Sequence, residues 1–211
     1  MPELTFADQS ERDDLGAFVA RAVRLDGQTV VRLRNRDGGR VDAWVATPFD
    51  VLATRTVHGA AEPGDVTVSG NELLAALAVS RADRIDPGRP MDIQWRSALP
   101  PQAHWQVVED QLPAKVVADL TDRGLAVARE NVGPHGTPPA SLLDQTVLTV
   151  TGDGLEVKIP MRCLFAMSGM GFLGSGDEEH VRITATDAWL RIDARFGAVV
   201  RRRHALLPLL V

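Results

Sequence analysis

Residues 65–79 read DVTVSGNELLAALAV, and residues 156–170 read EVKIPMRCLFAMSGM. In the first stretch Val66 and Val68 alternate with polar neighbours and lead into an apolar run that starts at Leu73-Leu74-Ala75. In the second, Val157 and Ile159 stand in the same relation to Leu164-Phe165-Ala166. Alternation with a period of two marks a half-buried strand, and the apolar run that follows marks a buried helix. Each stretch therefore predicts a short strand running directly into a helix. Their recurrence predicts one α+β unit used twice, and so a chain of two related halves.

The residues around these stretches extend the same scheme. Ser10 and Asp13 form an S-x-x-D capping signature, and Leu15, Phe18, Val19 and Ala22 follow at helical spacing, which predicts a helix over 11–23. Residues 29–34 alternate, with Val31 and Leu33 on one face and Arg32 and Arg34 on the other. Asp37-Gly38-Gly39 is a hairpin turn, the return strand runs from Val41 to Thr47, and a third strand covers 50–58. Pro63-Gly64 then turns the chain into the first strand–helix unit. Between 81 and 104 the periodicity weakens, and Pro87, Pro90, Pro100 and Pro101 punctuate it. This places an N-terminal half at 1–99, a Pro-rich connection at 100–104 and a C-terminal half at 105–211. A helix is expected from Pro113, which suits a first helical turn, with Val116, Val117, Leu120, Leu125 and Ala128 on its apolar side. GPHGTPP at 133–139 reads as a loop. Strands at 146–151 and 155–159 flank the turn Gly152-Asp153-Gly154 and feed the second apolar helix. A hairpin at 181–185 and 189–196 and a further strand at 198–203 close the chain. Helices interspersed with hairpins give an α+β fold with mainly antiparallel sheets and packed helices.

Composition bounds the function classes. The chain has 211 residues, 45% apolar and 24% charged, enough for a sizeable core without metals or disulfides. Cys163 is the single cysteine, so no intramolecular disulfide can form, which suits a reducing compartment. The start, MPELTFADQSERDD, has neither a basic nor an apolar targeting region, and no run approaches ~18 apolar residues. A cytoplasmic protein with no membrane contact is expected. The net charge of −5 argues against non-specific binding to phosphate backbones. Lysine occurs only at Lys115 and Lys158, and tyrosine is absent. Both fit a high-GC genome, so the arginine excess is no evidence for phosphate recognition.

Recognisable catalytic chemistry is absent from the sequence. Gly169-x-Gly171-x-x-Gly174 matches a dinucleotide fingerprint by spacing, but it follows a helix-like run and precedes a strand, the reverse of what a phosphate at a helix N-terminus needs. Cys163 lies between apolar neighbours in MRCLFAM, where a thiol serves as a small core hydrophobe. His58, His104, His135, His180 and His204 form no metal-ligand spacing with one another or with the cysteine. No catalytic residue, cofactor or metal is expected.

The C-terminus carries the candidate partner contacts. Arg201, Arg202 and Arg203 are consecutive cations, able to meet an acidic protein surface or a phosphate backbone, or simply to solvate a strand. Directly after them comes ALLPLLV, with Leu206, Leu207, Leu209 and Leu210. A terminus this apolar is expected to dock, either on the protein's own core or across a symmetric dimer.

DGGRVDAWVATPFDVLATRTV at 37–57 followed by GDVTVSGNELLAALA at 64–78 resembles the strand–helix order of bacterial sliding-clamp domains, and so does VKIPMRCLFAM at 157–167 followed by VRITATDAWLRIDARF at 181–196. The resemblance covers about two-thirds of the chain and implies two clamp-like halves. It also implies an association with nucleic acid. Clamp domains turn basic helices toward DNA, whereas helix 11–23 sets Glu11, Asp13 and Asp14 beside Arg12 and Arg21. As a whole the chain resembles functionally uncharacterised cytoplasmic proteins of high-GC actinobacteria. The leading expectation is a non-catalytic binding or regulatory protein acting through a protein partner or self-association. A nucleic-acid-associated clamp-like protein is the alternative, and a small-molecule enzyme without a motif is the third.

Overall fold

The computed structural model describes residues 1–80, 82–130, 138–174, 176 and 178–203. In chain order its elements are β1 (Glu3–Phe6), α1 (Gln9–Leu25), β2 (Val30–Arg36), β3 (Arg40–Thr47), β4 (Val51–Glu62), β5 (Asp65–Ser69), α2 (Gly70–Val79) and β6 (Arg84–Ile85), then a 3-10 turn at Asp92–Gln94. They continue as β7 (Gln106–Pro113), α3 (Ala114–Glu130), α4 (Ala140–Leu143), β8 (Thr146–Gly152), β9 (Leu155–Pro160), α5 (Met161–Gly169), β10 (His180–Ala185), β11 (Trp189–Ala194) and β12 (Gly197–Arg202). The fold is α+β with antiparallel pairing throughout the described ladders. Met1–Leu99 with Gly169–Gly171 form one compact unit, and the rest from Pro100 onward forms a second. No described helix is long and apolar enough to cross a membrane.

In the first unit the strand order is β5-β2-β3-β4. Period-two alternation puts Val31 and Leu33 of β2, Val41, Ala43 and Val45 of β3, and Val66 and Val68 of β5 on one face, where all are buried. Helix α1 answers with Leu15, Phe18, Val19 and Ala22, and α2 with Leu73 and Leu77, which buries the apolar side of both helices. Strand β4 runs past its pairing with β3, and its last residues, Gly59–Glu62, pair with β1. Glycine at 59 permits that approach, because a Cβ there would collide with the Thr5 carbonyl. The third strand thus extends to Glu62, four residues beyond the sequence expectation. The cap of α1 also differs. Asp8, not Ser10, accepts from the N–H of Glu11, and the helix starts at Gln9.

The second unit repeats the strand–helix step. β9 leads into α5 as β5 leads into α2, and Leu164 is as buried as Leu73. Strands β7, β10, β11 and β12 form a sheet in the order β12-β11-β10-β7, and β8 and β9 form a separate hairpin with Asp153 and Gly154 at positive φ in its turn. Strand β7 was not legible, and Pro113 proves to be its last residue instead of part of a first helical turn. The buried stripe of α3 is Ala114, Val117, Thr121, Gly124 and Ala128, so Val116 faces outward and Leu120 and Leu125 are half-buried. Gly124, which weakens a helix in isolation, lies close against α5: a Cβ there would collide with Met161 and crowd Phe165.

Candidate interaction surface

The hairpin register of β11 and β12 decides where the three arginines go. Trp189 pairs with Arg202, Leu190 with Arg201 and Arg191 with Val200. Neighbouring residues on a strand point to opposite faces, so the run does not act as one cluster. Arg201 shares a face with Leu190, Ile192 and Val199, and Arg202 shares the other with Trp189, Arg191 and Val200. All three arginines are half-buried.

Arg202 lies over the Trp189 ring, with its Cζ 4.7 Å from the ring centroid, a cation–π contact on a buried indole. Arg203 follows the end of β12 and is fixed by main-chain acceptors. Its Nη1 donates to the Thr186 carbonyl at 3.0 Å and its Nη2 to the Glu156 carbonyl at 2.6 Å. Its own N–H donates to Ala188 O at 2.9 Å. Among the described residues neither Arg202 nor Arg203 has an ion pair. Their neighbours do: Arg191 with Asp193 at 2.7 Å, and Arg195 with Glu179 at 2.8 Å. Among the described residues these are two oriented cations without a carboxylate partner, at the end of β12, after which the sequence continues into its apolar terminus. Leu206, Leu207, Leu209 and Leu210 lie outside the described residues.

Several cations elsewhere are matched. Arg32 Nε and Nη2 donate to the two Asp65 oxygens at 2.7 and 2.8 Å, and Arg34 stands 3.8 Å from the same carboxylate. The Arg32 hydrogen bonds hold the Asp65 carboxyl below its ordinary range, against the opposing effect of burial. The exposed faces of α1 and α2 carry Asp13, Asp14 and Glu72 against Arg24. On α3, Lys115, Arg123 and Arg129 alternate with Asp119, Asp122 and Glu130. These helix faces make no basic track for a phosphate backbone.

Catalytic constellations are not assembled among the described residues. Cys163 is 1% exposed in the middle of α5. His58 is tied to Glu11, Nδ1 to Oε1 at 2.8 Å, and no group of three His, Cys, Asp or Glu side chains is arranged to hold a metal. The glycine-rich run follows α5, with Gly171 at φ +60°, and Gly174 lies against the Glu179 carboxylate, which would repel a phosphate. A concavity of about 760 Å³ in the first unit is lined by Met1, Pro2, Glu62, Pro63, Asp86, Gly88, Arg89 and Pro90, with no nucleophile and base facing one another. The arginine run by itself does not announce the Trp189–Arg202 stack. The hairpin register, two strands joined by a turn near 195–197, was the available signal.

Two family models match the chain: domain of unknown function DUF8010 over residues 1–97 and domain of unknown function DUF8185 over residues 100–206. Nothing among curated proteins matches. Solved structures similar to the chain include the beta sliding clamp of Caulobacter crescentus (13% identity, TM-score 0.59, 99% of this chain and 66% of that one). The DNA polymerase sliding clamp of Bacillus subtilis is similar at 14% identity and TM-score 0.58, over 99% of this chain and 66% of that one. The DNA polymerase beta subunit of Streptococcus pyogenes is similar at 9% identity and TM-score 0.55, with the same coverage. The likeness is one of fold, and the chain spans about two-thirds of the length of these structures.

Proposed function

The chain belongs to the DUF8185 family, and from that premise and its clamp-like fold we propose that it works by binding, not catalysis, through contact with a protein partner. The observation that carries the reading is the pair Arg202 and Arg203, oriented by Trp189 and by main-chain carbonyls and lacking carboxylate partners among the described residues. Cations held this way have already lost much of their side-chain entropy, so an acidic partner surface meets them at reduced cost. The adjoining sequence ALLPLLV adds apolar area at the same place. Charge to steer an encounter and apolar surface to hold it are what a protein interface combines. We take 1–99 and 105–211 as the two halves, joined through 100–104, with the contact on the second half. A reducing, cytoplasmic setting fits a single buried cysteine. The arginine-rich, tyrosine-free composition fits a high-GC actinobacterial source.

The fold likeness to DNA polymerase sliding clamps favours one second reading, association with nucleic acid. The mixed charge of the helix faces weighs against it.

Affinity capture from native lysate with the full-length chain tests the first reading, comparing wild type with the Arg201→Ala/Arg202→Ala/Arg203→Ala variant at low and high salt. The variant should lose partner, and lose more at low salt, since exposed charges act only within ~8–10 Å at physiological ionic strength. Unchanged capture at both salts refutes the arginine contact. Salt-sensitive retention of duplex DNA by wild type, lost in the variant, would instead establish the second reading.

A further inference from the structure

We propose that residues 86–95 form a detachable guard over the outer edge of β5, and that the edge, once bare, pairs with β5 of a second copy of the chain. β5 stands at the end of the first unit's strand order, paired on one side only, with β2. An edge strand offers a row of main-chain donors and acceptors to any other strand. Main-chain groups of Asp65, Thr67 and Ser69 face the free edge, and the segment takes both of those at Thr67, the middle residue. The Thr67 N–H donates to Asp92 Oδ1 at 2.7 Å, and the Met91 N–H donates to the Thr67 carbonyl at 2.7 Å. The segment thus imitates a neighbouring strand with one amide and one carboxylate. Pro87 and Pro90 deny it the N–H groups a true ladder would need.

The hydrogen bonds holding the guard are few, and of its side chains only Pro87 is buried, with Met91 and Trp95 half-buried. Beyond the two at Thr67, the Arg89 N–H donates to Glu72 Oε2 at 3.1 Å, and the Trp95 ring lies 5.8 Å from the Arg32 guanidinium carbon. Ile93 is 89% exposed, and Asp92, Gln94 and Arg96 are exposed beside it. Under the segment the Thr67 hydroxyl is buried without a hydrogen-bond partner, which subtracts from what keeps the cover in place. Segments with little buried apolar contact and exposed hydrogen bonds open at low free energy.

The sequence of β5 suits pairing with itself. In a two-fold antiparallel arrangement centred on Thr67, the outward N–H and C=O of one copy meet those of the other. Asp65 then faces Ser69 of the second copy, so no like charges oppose each other. This edge is distinct from the Arg202 surface and does not depend on it.

The test uses the full-length chain with Asp92→Ala. Loss of a hydrogen bond to a charged acceptor should speed exchange of the Thr67 amide about ten- to hundredfold. Light scattering over a concentration series should show the mass of the variant rising toward a dimer while the wild type stays below it. Adding Thr67→Pro removes an N–H that β2 does not use and should return the mass to that of the monomer. Exchange that speeds up without any gain in mass overturns the proposal, as does unchanged exchange. A dimer that survives Thr67→Pro also overturns it, because the edge is then not the contact. Circular dichroism checks folding, and if Asp92→Ala does not fold, Asp92→Asn, a weaker acceptor of the same size, is read by the same two measurements.

Discussion

Leu73 and Leu164 sit at matching places in the two strand–helix units, and both are essentially inaccessible to solvent, 0% and 1% exposed. Replacing either with alanine removes three carbon groups from a filled interior. At about 0.8 kcal/mol per buried methylene the transfer loss is about 2.4 kcal/mol. The vacated space adds a cavity term, since helices anchored on a sheet relax only in part, so each variant should lose about 3–5 kcal/mol. For a chain of this length unfolding as one, that is a drop in Tm of about 6–20 °C. Urea unfolding followed by circular dichroism measures it, with the slope of free energy against urea as the check on two-state behaviour. If the halves are related as the repeat implies, the two losses should agree within a factor of two. A loss of about 0.5 kcal/mol or less at either leucine, the range of surface substitutions, would refute its placement in the core.

Other predictions follow from single contacts. Cys163 should react slowly with a thiol reagent in the native protein and quickly in denaturant, and fast native labelling would show that α5 is not packed as described. Gly124→Val should destabilise by at least about 1–3 kcal/mol in thermal melts, because the added methyls have to displace Met161 and Phe165. The Asp65 carboxyl is depressed in the folded state, so its contribution is full above the unfolded value of about 3.9 and is lost as pH falls through the lower folded value. Asp65→Asn should therefore flatten the stability profile below about pH 4, and the difference should shrink in high salt because the pair is partly exposed.

The parts of the fold that were legible are those with a strict period. β2, β5, β9 and β10 alternate, β3 lies between the Asp37-Gly38-Gly39 turn and Pro48, and α1 carries large apolar residues at helical spacing, so each could be read to within a few residues. β7 could not, because QVVEDQLP has three polar residues in a row and its pairing with β10 shifts register between Ile183 and Thr184. The buried side of α3 was misread for a different reason. Apart from Val117, its stripe is built of alanine, threonine and glycine, residues that carry little hydrophobic signal, and Gly124 allows close approach to α5. The candidate surface was legible as composition only. Three arginines in a row are visible in the sequence, yet their division between two faces follows from the β11–β12 register. Likewise, no local pattern announces that Asp92 reaches the amide of Thr67, since 25 residues separate them.

A chain whose one thiol is sealed inside α5 is already prepared for spectroscopy. A cysteine introduced on the exposed side of α2, as in Ala78→Cys, or of α3, as in Ala126→Cys, would be the sole reactive handle on the native protein. Paired spin labels or fluorophores at these two positions would give an interprobe distance with no need to strip out competing sites first. The same ruler, read while a candidate partner is titrated in, would report motion between the two units as it happens.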